Sequence, residues 1–222
     1  MPRESREARH RRAGAVLDTL KREYPDAHCE LDHRTPFQLL VATILSAQCT
    51  DARVNLVTPV VFARYPTPDD LAHANPDELE ALIHPTGFFK AKTRNLIAMA
   101  TRLVTRYDGE VPGAMEDLTS LAGVGRKTAN VVRSVALGLP GLPVDTHVGR
   151  LALRLALTTE TDPVKVESAL NPMVPAGERG SFSLRLILHG RRVCDAKKPR
   201  CAECTLEDIC PSSRVPRRAS RK

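Results

Sequence analysis

The sequence predicts an all-α fold on three observations. Apolar residues recur at helical spacing in run after run. Several runs open with a capping side chain followed by a proline suited to the first helical position: Thr35-Pro36, Asn75-Pro76 and Asp162-Pro163. No stretch alternates apolar and polar residues with period two for long, so no significant sheet is expected.

Glu7 to Tyr24 read as a first helix, with Ala15, Val16 and Leu20 on one side and Pro25 ending it. Met1 to Arg12 is Arg-rich. It lacks the apolar stretch of a secretory signal and carries Glu4 and Glu7, unlike a transit peptide, so it reads as a flexible basic arm. From Thr35, the residues Phe37, Leu39, Leu40, Val41, Ile44 and Leu45 make a helix apolar nearly all round, which implies burial. It ends in Ser46-Ala47-Gln48-Cys49-Thr50-Asp51. Such a polar end either opens onto a site or is an ordinary junction, with Thr50 or Asp51 capping the next helix through Val60.

Pro66 to Asp70 begin a short helix, and Asn75 to Glu78 begin another. After Gly87-Phe88-Phe89 comes a helix with Leu96, Met99, Ala100 and Leu103 on one face. Its Lys92-Thr93-Arg94-Asn95 echoes Lys127-Thr128-Ala129-Asn130 at an offset of 127 − 92 = 35 residues, as two related units or by chance. Met115, Leu118 and Leu121 form a short helix, and Val131, Val132 and Val135 mark the next, which Gly138 ends. Val148, Leu151, Leu153, Leu155 and Ala156 make a helix, Asp162-Pro163 starts one through Leu170, and Ser181 to Val193 form the last long one. A basic tail follows from Arg214.

Between two of these helices lies Gly123-Val124-Gly125-Arg126-Lys127, a helix-hairpin-helix. Its glycines permit a sharp turn and close approach. The helix start beyond them points amide N–H groups outward, which suits a phosphate and grips nucleic-acid backbone without reading bases. Taken alone, Lys127 reads as a phosphate contact. Asp145 reads as the N-cap of the helix from Thr146, and His147 as a structural hydrogen-bond partner. The hairpin lysine together with an aspartate 18 residues on (145 − 127) instead suggests an amine and a carboxylate acting on one substrate.

The 222 residues suffice for one large or two small domains. A formal net charge of +7 favours a polyanionic partner without identifying one. No apolar run approaches the roughly 20 residues that span a bilayer. Cys29 and Cys49 are isolated, whereas Cys194, Cys201, Cys204 and Cys210 form one cluster. In a reducing compartment clustered cysteines more often bind metal than pair as disulfides. Spacing alone leaves four-cysteine zinc and an iron–sulfur cluster both open. Lys197, Lys198 and Arg200 between the first two cysteines read either as a phosphate clamp or as a solvated charge run.

Leu45-Ser46-Ala47-Gln48, the hairpin through Asn130, Val144-Asp145-Thr146-His147 and the cysteine tail occur together and in this order. In this the chain resembles the helix-hairpin-helix/Gly-Pro-Asp superfamily of DNA glycosylases, and within it the endonuclease III family, over nearly its whole length. The resemblance implies two helical domains flanking a DNA-binding cleft. One spans 29–139 with the hairpin; the other joins 1–28 to 140–222 and carries the cysteine centre and basic terminal arms. It implies a bifunctional glycosylase and AP lyase of base excision repair, removing oxidised pyrimidines. Lys127 would be the Schiff-base nucleophile, attacking as the neutral amine, and Asp145 the ionised carboxylate. Gln48 would enter the duplex where the base departs, and Phe88 would be the apolar wedge, although Phe88 and Phe89 also read as core. Lys92, Gly123, Gly125, Lys197, Lys198 and Arg200 would contact DNA. The four clustered cysteines would hold one [4Fe–4S] cluster. The partner would be lesion-bearing double-stranded DNA, no membrane is involved, and the protein would act as a monomer in the cytoplasm with the nucleoid. The contrasting expectation is a non-catalytic or redox-sensing iron–sulfur protein that binds damaged DNA without cutting it. Ala122 and Cys49 depart from the family pattern, which commonly has Pro before the hairpin glycine and Ala after the glutamine.

Overall fold

A computed structural model describes residues 4–216. Among the described residues the α-helices are α1 (Arg6–Glu23), α2 (Pro36–Leu45), α3 (Asp51–Arg64), α4 (Pro68–Ala72), α5 (Pro76–Ile83), α6 (Phe89–Tyr107), α7 (Met115–Thr119), α8 (Arg126–Val135), α9 (Thr146–Arg154), α10 (Pro163–Leu170) and α11 (Arg179–Arg192). Short 3-10 turns complete the secondary structure, and the described residues contain no strand. The chain forms two compact units: Cys29–Gly141, and a second built from the segments before and after it.

In the Cys29–Gly141 unit, local chemistry sets most helix starts. Thr35, Thr50 and Asn75 each accept a hydrogen bond from a first-turn amide, and Thr67 and Asp70 form a reciprocal capping box. Helix α2 is buried on nearly every side, with Leu39, Leu40 and Leu45 fully enclosed, and packs with Leu79, Leu96 and Leu103 into one core. Enclosing each such leucine is worth roughly 2 kcal/mol. Helix α3 continues past the expected end at Val60 to Arg64, carrying Pro59 inside it. Burial of Val57 and Val61 on its inner face sustains the helix beyond the hydrogen bond that the proline cannot donate.

In the second unit, α1, α9, α10 and α11 surround a core that includes Leu20, Leu151, Leu170 and Phe182. The reading of Met1 to Arg12 as a flexible arm is corrected from Ser5 onward. Ser5 caps α1, and Arg12 donates to the carbonyls of Leu155 (2.7 Å) and Ala156 (2.8 Å) and pairs with Glu4. Helix α9 also ends earlier than expected, at Arg154. Ala156 turns left-handed at φ 50°, while the amides of Ala156 and Leu157 return to Leu153 and Ala152, a Schellman turn. Residues 1–3 and the basic tail from 217 onward lie outside the described residues.

Candidate active site

In the Cys29–Gly141 unit, the turn between α7 and α8 needs its first glycine. Gly123 has φ 76°, and a Cβ there would come within 3.0 Å of Asn95 on α6. Gly125 starts α8 and has open space where a Cβ would stand, so a ligand can approach its backbone. No side chain caps α8, and its N-terminal end suits an anion. Lys127 is exposed in the first turn of α8.

The echoed lysine has a different fate. Helix α8 begins at Arg126, making Lys127 its second residue, whereas α6 begins at Phe89, making Lys92 its fourth. That shift turns Lys92 inward. It is 4% exposed, and its Nζ donates to Leu45 O (2.8 Å) and Thr86 O (2.9 Å). Burial pushes its ammonium below the ordinary value, and Cys49 opposes the shift. Against its expected place at the DNA, Lys92 is buried in this chain, and its ammonium donates to two backbone carbonyls.

Gln48 and Phe88 are both exposed, and both hold left-handed backbones, at φ 54° and 49°. Phe88 is 68% exposed, whereas Phe89 is partly buried with its ring 4.6 Å from that of His84. The two phenylalanines thus separate, one outward and one against the core.

In the second unit, Asp145 is the N-cap of α9. Its Oδ1 accepts from Val148 N at 2.8 Å, and the side chain is half-buried. His147 meets Arg150 Nη2 at 3.1 Å and packs against Gly190, where a Cβ would come within 2.9 Å of the His147 ring.

Cys194, Cys201, Cys204 and Cys210 are unpaired and together line one cavity of about 180 Å³. Burial raises the Cys204 thiol to about 11, with the three other cysteines close enough to add to the rise. Among the described residues, no three His, Cys, Asp or Glu side chains are arranged to hold a single ion. Four thiols lining one cavity fit a metal centre held by four thiolates.

Residues that the sequence did not single out build this centre. Arg154 donates to the Cys194 sulfur and to the carbonyls of Asp195 and Ala196, and Arg150 to those of Gly190 and Cys194. His189 is buried between Tyr24 Oη (3.1 Å) and Cys204 Sγ (3.3 Å), and burial lowers its pKa to about 4. Arg150 and Arg154, at i and i+4 on one helix, were the available signal. Asp195 accepts from the amides of Lys197 and Lys198 and so shapes the loop. Lys197, Lys198 and Arg200 are exposed on it, with Arg200 3.5 Å from Glu203.

A family model described as "HhH-GPD superfamily base excision DNA repair protein" matches residues 41–176. Endonuclease III of Synechocystis sp. is 52% identical over 209 residues, covering 94% of this chain and 95% of that protein. A solved non-covalent endonuclease III–DNA complex superposes with a TM-score of 0.85 at 42% identity, covering 92% of this chain and 96% of the other. A trapped covalent endonuclease III–DNA intermediate matches with the same TM-score and coverage at 43% identity.

Proposed function

The chain belongs to the HhH-GPD superfamily of base excision DNA repair proteins, and from that premise we propose that it is a bifunctional DNA glycosylase and AP lyase acting on oxidised pyrimidines in duplex DNA. The observation that carries this reading is Lys127, an exposed amine in the first turn of α8 beside the Gly123–Gly125 turn. The similarity to a chain trapped covalently on DNA supports a reaction through a protein nucleophile.

The target nucleotide must leave the base stack before an amine can reach its sugar. The backbone amides at the start of α8 bind phosphate, while Gln48 and Phe88 fill the gap left in the duplex. Lys127, as the neutral amine, attacks C1′. The C1′–N bond breaks, and the base leaves with the electron pair and takes up a proton. Asp145 stays ionised to stabilise positive charge developing on the sugar and assists proton movement. The C1′–O4′ bond then opens as nitrogen gives up a proton and O4′ takes one; the resulting Schiff base acidifies the C2′ hydrogen, and β-elimination breaks the strand 3′ to the lesion. The N-cap bond from Val148 N orients one Asp145 oxygen.

Cys194, Cys201, Cys204 and Cys210 would hold a [4Fe–4S] cluster. When bound, this group supplies a rigid anchor for the loop bearing Lys197, Lys198 and Arg200, and supplies no electrons to the reaction. Those three cations are assigned to phosphate contact. The two compact units serve as the two domains of this reading, and the protein acts as a monomer with the nucleoid.

Borohydride reduction tests the assignment on a duplex with one thymine glycol. The wild type is expected to give a covalent protein–DNA band, and Lys127→Ala none. A folded wild type that binds this duplex and an abasic duplex yet traps neither would exclude the lyase.

A further inference from the structure

Lys92 is a cation buried where neither of its hydrogen-bond acceptors is a carboxylate. Taking an ammonium out of water is costly and is offset only by well-made hydrogen bonds. Both acceptors here are main-chain carbonyls of the Cys29–Gly141 unit, from residues 41 positions apart (86 − 45).

The identity of those carbonyls is informative. Leu45 is the last residue of α2, and its carbonyl is one that a helix end leaves without an intrahelical partner. A cation there also meets the negative end of the helix dipole. Thr86 closes the 3-10 turn His84–Thr86, and its own hydroxyl bonds back to Ile83 O at 2.8 Å. Three residues beyond Leu45 stands Gln48, and two beyond Thr86 stands Phe88. Both are exposed, and both occupy left-handed backbone that an L side chain adopts only with strain. Such a conformation persists where the surrounding backbone is held. Lys92 holds the backbone on the approach to both.

We propose that Lys92 is a positioning residue for DNA opening: its ammonium ties the turn that carries Gln48 to the turn that carries Phe88, so that both side chains meet the duplex as one rigid pair. The proposal rests on the glycosylase reading for the use of the pair, but not for its rigidity.

Two variants test it in the full-length, cluster-loaded protein: Lys92→Met, which fills the space without a donor, and Lys92→Gln, which keeps amide donors. Hydrogen exchange at residues 46–50 and 86–89 is expected to quicken in both segments together in Lys92→Met, and less in Lys92→Gln. In single-turnover assays, Lys92→Met is expected to slow base removal from a duplex at least ~10-fold more than it slows cleavage of an abasic single strand, which has no partner strand to open. In a Gln48→Ala/Phe88→Ala background the same change is expected to cost less than about twofold further, because the pair it positions is gone. Unchanged exchange in either segment of a folded variant overturns the proposal, as do equal losses on both substrates. If neither variant folds, Lys92 serves core stability and the proposal fails. A wild type that traps no DNA defeats the glycosylase reading, while the exchange comparison still decides whether Lys92 couples the two turns.

Discussion

Arg154 Nη1 donates to the Cys194 sulfur at 3.2 Å, and the same guanidinium holds the carbonyls of Asp195 (2.7 Å) and Ala196 (2.6 Å). One side chain at the end of α9 thereby fixes the first cysteine and the start of the loop that follows. Arg154→Ala is expected to destabilise the protein by about 2 kcal/mol, through loss of charge-assisted hydrogen bonds to groups left partly buried. Thermal unfolding should register a fall of several degrees. With the proposed cluster bound, the variant should also surrender its visible absorbance to a chelator faster than the wild type.

Asp145 caps α9 and is also the proposed catalytic carboxylate, and one pair of substitutions separates the roles. Asparagine caps helices about as well as aspartate, whereas alanine does not. Asp145→Asn is expected to unfold within about 0.5 kcal/mol of wild type, while Asp145→Ala loses about 1 kcal/mol. Both should lose base removal by about 100-fold or more. Full activity in Asp145→Asn would leave capping as the residue's only role.

Phe88 carries a left-handed backbone and a largely exposed ring. Phe88→Gly relieves the backbone strain and removes little buried surface. It is expected to raise stability by up to about 1 kcal/mol and to reduce base removal from paired duplex. Chemical denaturation and single-turnover kinetics on one preparation would show stability and activity moving in opposite directions.

Glu178 lies 2.7 Å from Lys21 and 3.6 Å from Arg185. The bond to Lys21 holds its carboxyl below the ordinary 4.5. A depressed carboxyl contributes stability that is present above that ordinary value and fades as pH falls through the lower folded value. Glu178→Gln is therefore expected to melt below wild type at neutral pH, with the gap closing as the pH is taken below 4.5. A gap that persists unchanged into that acid range would mean the contact is not ionic.

Much of the helical framework was legible because its signals are local. Thr35-Pro36, Asn75-Pro76 and Asp162-Pro163 start helices at the expected positions, since a capping side chain reaches amides only two or three residues on. Helix ends were less legible. The stop after Arg154 relies on a left-handed alanine rather than glycine, and α3 runs through Pro59 because its inner face is buried. Neither outcome follows from the residues at the boundary alone.

The sequence by itself determined the helical class, the hairpin glycines, the grouping of four cysteines and the candidate pair Lys127 and Asp145. Each rests on short-range spacing or residue chemistry. Only the tertiary structure decided which of two echoed lysines faces solvent. Lys92 and Lys127 sit in matching Lys-Thr-x-Asn segments, yet one has its ammonium closed over Leu45 O, 47 residues away, and the other is exposed. It likewise decided that Arg154 and His189 attend the cysteines, and that Phe88 and Phe89 part company. Burial and hydrogen-bond partners belong to contacts between distant segments, and a local pattern of residues does not contain them.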